Sequence, residues 1–131
     1  MKKVLWLLSI VFMGLNAHTQ EIDPVKVAQT QLDFYNQQDL NGFVSVFAED
    51  AEVYFNLGDS AATLIGKPAI KARYGEMFQT YPNNKSTLIG RMVQGNFVFD
   101  HEWIDTGSSE FKIVAIYEVE SGLIQRCWFA R

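Results

Sequence analysis

The chain has 131 residues, 48% of them hydrophobic, with 11 basic against 15 acidic side chains and a net charge of −4. That length suits one domain with a real core. The acidic balance argues against nucleic acid, whose binding rests on many Lys and Arg contacts to phosphate, and a single cysteine, Cys127, cannot form a disulfide within the chain.

The N-terminus reads as a separate object. Lys2 and Lys3 precede an apolar run from Val4 to Leu15, broken only by Ser9 and Gly14. The run is shorter than the roughly 20 apolar residues a bilayer span needs. A basic start, a short apolar run and a small residue after it describe a secretory signal peptide. Cleavage after Ala17 is expected, with Gln20 as the other candidate bond and an uncleaved membrane anchor as the alternative. Residues 1–17 are thus the signal and 18–131 the mature domain, periplasmic or secreted and free of the membrane once cleaved. No cysteine follows the apolar run, which argues against a lipoprotein. Without Lys2 and Lys3 the mature chain carries 9 basic and 15 acidic side chains, a net −6.

Asp23-Pro24 is an N-cap followed by proline at the first helical position, so a helix is predicted from Pro24 to about Gln38. Asp39 caps a short second helix to Phe47, with Phe43 and Phe47 on one side. An acidic turn, Glu49-Asp50, leads into a strand from Ala51 to Phe55. Gly58-Asp59-Ser60 marks a loop, and Gly66-Lys67-Pro68 opens a third helix to about Thr80. The rest reads as four strands, Ser86 to Val93, Phe97 to Asp105, Phe111 to Glu120 and Leu123 to Phe129. Short turns join them, which makes an antiparallel meander. The fold class is α+β: three helices from the N-terminal half on the concave face of a cone-shaped, curved antiparallel sheet, with a pocket between the layers.

Alternation along the strands assigns the faces. In Phe97 to Trp103, Val98, Asp100 and Glu102 share one side, and Phe97, Phe99, His101 and Trp103 share the other. Both sides carry too much apolar surface to face water. One is expected beneath the helices and the other in a homodimer interface. The opposite assignment, rings inside and carboxylates in solvent, stays open. Phe111, Ile113, Ala115, Tyr117 and Val119 form the inner row of the next strand. Along the last strand, simple alternation puts Ile124, Arg126 and Trp128 inside and Cys127 outside.

The segments QQDLNGFVSVFAEDAEVYF, GKPAIKARYGEMF and VAIYEVESGLIQRCWF together resemble the nuclear transport factor 2-like superfamily, in particular its SnoaL-like and ketosteroid-isomerase-like branch. The resemblance spans about Val27 to Phe129 and implies a cone-shaped barrel with a pocket in its open end and dimers through the outer sheet face. It does not imply one function, because such folds host many. Steroid isomerases of this branch use an aspartate base with a tyrosine and a protonated aspartic acid. Those positions align here with Phe55, Gln31 and Ala115, so that mechanism is not expected.

The candidate site is instead Asp100, Glu102 and Arg126, with an arginine to hold an anionic oxygen and a carboxylate to move a proton. An internal salt bridge is the competing role for the same residues. Tyr35, Phe55, Tyr74, Tyr117 and Trp128 are the expected ligand-binding walls, and His101 belongs with the interface. Two histidines make no metal cluster, and neither a cofactor motif nor a phosphate loop is present. The expected function is an exported pocket protein binding a small, partly apolar ligand. The alternatives are a cofactor-free isomerase, cyclase or hydratase, and a dimeric assembly module with a vestigial pocket.

Overall fold

A computed structural model describes residues 22–131. The expected signal segment, residues 1–17, and both candidate cleavage bonds lie outside the described residues. Helix α1 spans Pro24–Gln37, α2 Leu40–Ser45 and α3 Lys67–Thr80; the strands are β1 Phe47–Tyr54, β2 Leu64–Ile65, β3 Lys85–Gln94, β4 Phe97–Asp105, β5 Glu110–Glu120 and β6 Leu123–Ala130.

Local chemistry sets the helical corners. The Asp23 carboxylate accepts from the Val25 N–H at 2.9 Å and Pro24 starts α1, as the cap pattern predicts. Gln38 then turns left-handed and closes the helix on the Phe34 and Tyr35 carbonyls. Asp39 accepts from the Gly42 N–H and starts α2. Gly42 has to be glycine, because a methyl there would collide with the Phe34 ring. Packing α1 against α2 so tightly brings Phe43 into a ring cluster with Tyr35, Phe47, Tyr74 and Phe78.

The six strands form one open sheet in the order β2-β1-β6-β5-β4-β3. The α+β architecture is the expected one, with the helices stacked over one sheet face. Two details differ. β1 begins at Phe47, at the residue where helix was expected to end. It also pairs in parallel with β6, so the sheet is mixed rather than wholly antiparallel. Sequence neighbours define a meander, but the first and last long strands meet only through the tertiary fold.

Two β-bulges decide which side chains reach the core. Leu88 pairs with Glu102 and Gly90 with His101, leaving Ile89 extra on β3. Arg126 pairs with Glu118 and Ile124 with Val119, leaving Gln125 extra on β6. One extra residue sends every later side chain to the opposite face. Beyond Ile89, Arg91 therefore turns inward to meet Asp100. On β6, Ile124 and Cys127 both face in, while Arg126 and Trp128 face out.

Candidate functional site

Between the helices and β4–β6 lies a cavity of about 350 Å³. Leu32, Met77, Ile104, Phe111, Ile113 and Phe129 give it a largely apolar wall. Phe55 also lines it, stacked on Phe129 with ring centroids 5.8 Å apart. Tyr35 from α1, Tyr74 from α3 and Tyr117 from β5 add three phenols, and Glu102 and Gln31 complete the lining described here.

Among the described residues Glu102 is the one acidic side chain on the cavity wall, and it is only 4% exposed. The Ser86 hydroxyl donates to its Oε2 at 2.6 Å. The Tyr117 hydroxyl has its single proton between Glu102 Oε1, at 3.4 Å, and Gln31 Oε1, at 3.3 Å. Burial raises the Glu102 carboxyl from its usual 4.5 to about 7; the Ser86 hydrogen bond works against that rise and the nearby Asp100 carboxylate adds to it. Near neutral pH such a group can both give and take a proton, and its protonated form can donate a hydrogen bond.

Asp100 is also wholly buried on the inner face, but it does not line the cavity. Arg91 grips it bidentately, Nε to Oδ1 at 2.6 Å and Nη2 to Oδ2 at 2.8 Å, and Arg91 Nη1 reaches Gln29 Oε1 at 3.1 Å. This pair is the internal salt bridge weighed as a structural role, formed with a different arginine. It neutralises Asp100 and leaves Glu102 without a cation in ion-pair contact.

Two expected site residues are elsewhere. Arg126 lies on the outer face, where Nε and Nη2 bond Glu118 at 2.5 and 3.1 Å. Trp128 sits beside it, stacked on Tyr54 at 5.5 Å. The Gln125 bulge is the reason, since it shifts both out of the inward phase that alternation gave them. For the same reason Cys127, expected outside, is buried in the core. His101 is exposed on the outer face with Trp103, as its strand parity required.

The remaining tyrosines are tuned by burial. Tyr35 accepts a hydrogen bond from Asn84 Nδ2 at 2.5 Å, and burial lifts its phenol to about 12. Burial also raises Tyr74 and Tyr117 well above the usual phenol value. All three stay protonated at neutral pH and can offer hydrogen bonds rather than charge. Of the positions aligned with isomerase catalytic groups, Phe55 and Gln31 line the cavity but carry no acid, and Ala115 is buried opposite Asp100.

Of the polar lining residues, Gln31, Asn56, Arg73 and Arg131 were missed. Gln31 had been considered only as the counterpart of a missing tyrosine. Arg73 and Arg131 also border the cavity, each guanidinium over an aromatic ring: Arg73 above Phe55 at 5.2 Å and Arg131 above Phe111 at 3.9 Å. Arg73 could have been found from the sequence, one residue before Tyr74 on the helix that roofs the pocket. Among the described residues no group of three His, Cys, Asp or Glu is placed to hold a metal ion.

A model of the SnoaL-like domain matches residues 28–127. A cystatin-fold protein from Novosphingobium aromaticivorans is similar at 24% identity and a TM-score of 0.78, over 84% of this chain and 99% of that one. A SnoaL-like protein from Burkholderia thailandensis is 16% identical with a TM-score of 0.70, over 81% and 91%. A nuclear transport factor 2-like protein from Cytophaga hutchinsonii is 14% identical with a TM-score of 0.68, over 85% and 91%. At these identities the likeness establishes the fold alone. No curated protein matches the chain.

Proposed function

The chain belongs to the SnoaL-like domain family, and from that premise we propose a pocket protein that binds one small, partly apolar molecule, with a polar group of the ligand against Glu102. The observation that carries this is the apolar cavity with a single buried carboxyl on its wall. Apolar walls with a few converging polar groups are the ordinary make-up of a small-molecule site. Tyr117, whose hydroxyl lies within reach of both Glu102 and Gln31, and Gln31 itself supply further donors and acceptors. The test is to soak purified protein in metabolite extracts and identify what is retained by native mass spectrometry. Retention by wild type and loss in a folded Tyr117→Phe or Glu102→Gln variant is the expected result. Nothing retained from several extracts would leave an assembly module instead.

A second reading, cofactor-free isomerase or cyclase chemistry, is favoured by one observation: Glu102 titrates near neutrality and no cation pins its charge. In that reading Glu102 takes a proton from a carbon acid and returns it at another position. Deuterium entering a retained metabolite in D2O, and absent with Glu102→Gln, is the expected signature. Solvent exchange no faster than without protein would reject it.

Export and a homodimer through the outer sheet face belong to the same proposal. Export is supported by the Lys2-Lys3 start and the apolar run and is checked by N-terminal sequencing of the mature protein. The dimer is supported by the aromatic residues of the outer face, Trp103 among them at 43% exposure.

A further inference from the structure

Four arginines occur in the chain. Arg91 is paired with Asp100 and Arg126 with Glu118. Arg73 and Arg131 make no ion pair or side-chain hydrogen bond with any described residue, although Glu76 lies one helical turn beyond Arg73. Both border the cavity. Both also border an adjoining recess that shares Tyr35, Met77 and Phe111 with it, so the two guanidiniums stand where the spaces meet.

Each is held over the face of an aromatic ring that itself lines the cavity. Stacking of this kind fixes the plane of a guanidinium while its N–H groups stay free to donate. Glu102, by contrast, is buried, whereas Arg73 and Arg131 are exposed. The cavity is therefore polarised, with a protonatable acid in its depth, apolar walls and unpaired cations at its rim. In a chain of net charge −4, the adjoining recess is lined by these two arginines against one acid, Glu76, among the described residues.

We propose that the ligand is an amphipathic anion, an aryl or alkyl carboxylate or its equivalent, whose apolar body fills the cavity while Arg73 and Arg131 bind its anionic group at the rim. This rests on the pocket reading above and narrows it to a ligand class. A planar carboxylate matches the fork of donors on a guanidinium, and the ring beneath each arginine keeps that fork oriented.

Two naphthalene probes of similar size separate the ideas: 8-anilinonaphthalene-1-sulfonate, which is anionic, and N-phenyl-1-naphthylamine, which is neutral. Both are titrated by fluorescence into wild type, Arg73→Met, Arg73→Lys and the Arg73→Met/Arg131→Met double variant, with far-UV circular dichroism verifying the fold. The expected result is about a tenfold loss of sulfonate affinity in Arg73→Met and a larger loss in the double variant. Arg73→Lys retains part of the affinity, added salt weakens only the sulfonate, and the amine changes less than about twofold throughout. If the amine binds and the sulfonate is insensitive to both arginines, the anion site is overturned and the pocket stands. If neither probe binds wild type, the pocket reading itself is overturned.

Discussion

Glu102 shows how one buried carboxyl can couple stability to pH. In the folded chain it holds its proton up to about pH 7, against the usual value of 4.5. Between those values the native state binds a proton that the unfolded state has released, so stability falls as pH rises. The stabilising share is fully present below pH 4.5 and is gone above about 7. A shift of that size corresponds to roughly 3 kcal/mol. Replacing Glu102 with Gln keeps an acceptor oxygen for Ser86, puts an NH2 donor where the second oxygen was, and removes the titration. The variant is expected to be more stable than wild type at about pH 8, with the advantage shrinking toward pH 4.5. Urea midpoints measured across that range would show it, and parallel curves for the two proteins would contradict the assignment. Glu102 was legible in the sequence because β4 is regular: Val98, Asp100, Glu102 and Ile104 alternate strictly inward, and all four are buried. Tyr35, Tyr74 and Tyr117 line the cavity for similar reasons, each on a helix or strand of regular period, and Phe55 lines it just past the end of β1.

At the scale of the element, legibility ended at the bulges. Arg91 and Arg126 exchanged roles because β3 and β6 each contain one residue more than the ladder beside it. Alternation has no memory across such a point. Gly90 inside a strand was a signal of the first bulge, since glycine in a strand interior often marks one. Nothing comparable accompanies Gln125, and only the polarity of Arg126 favoured the outer face. The energetic consequence sits on the Arg91–Asp100 pair, whose acid is fully buried. Replacing Arg91 with Met strands that carboxylate and is expected to cost about 3–5 kcal/mol; adding Asp100→Asn should recover much of it. Deleting Ile89 removes the bulge but leaves Gly90 opposite His101 and Arg91 opposite Asp100, so the ion pair is kept and the deletion should cost less than Arg91→Met. Chemical denaturation of the four proteins measures this, and a deletion that costs as much as Arg91→Met would show that the pair is lost with the bulge.

For the whole molecule, one sheet face is occupied by helices and the other is not. The uncovered face carries two kinds of surface. Near β1 and β6, Tyr54, Trp128, Arg126 and Glu118 knit into a stacked and ion-paired patch. Along β4, Trp103 and His101 are exposed and Phe97 and Phe99 are half-buried. A second copy would complete the second of these, as large apolar patches on a small domain favour association. Sedimentation at micromolar concentration should give a dimer, and Trp103→Glu a monomer with its fold intact. A monomeric wild type would reject the interface.

The parallel junction of β1 with β6 has a consequence for the order of assembly. Phe47 is matched with Ile124 and Tyr54 with Trp128, so β1 waits for a partner made only after β2, α3 and β3 to β5. Before β6 emerges from the ribosome, the aromatic helix corner and the β3–β5 meander are two pieces with no continuous ladder between them. Closing so long a loop is slow relative to local pairing. The cavity, which needs walls from both pieces, thus forms only after β6 has been made, and no ligand can template it before then.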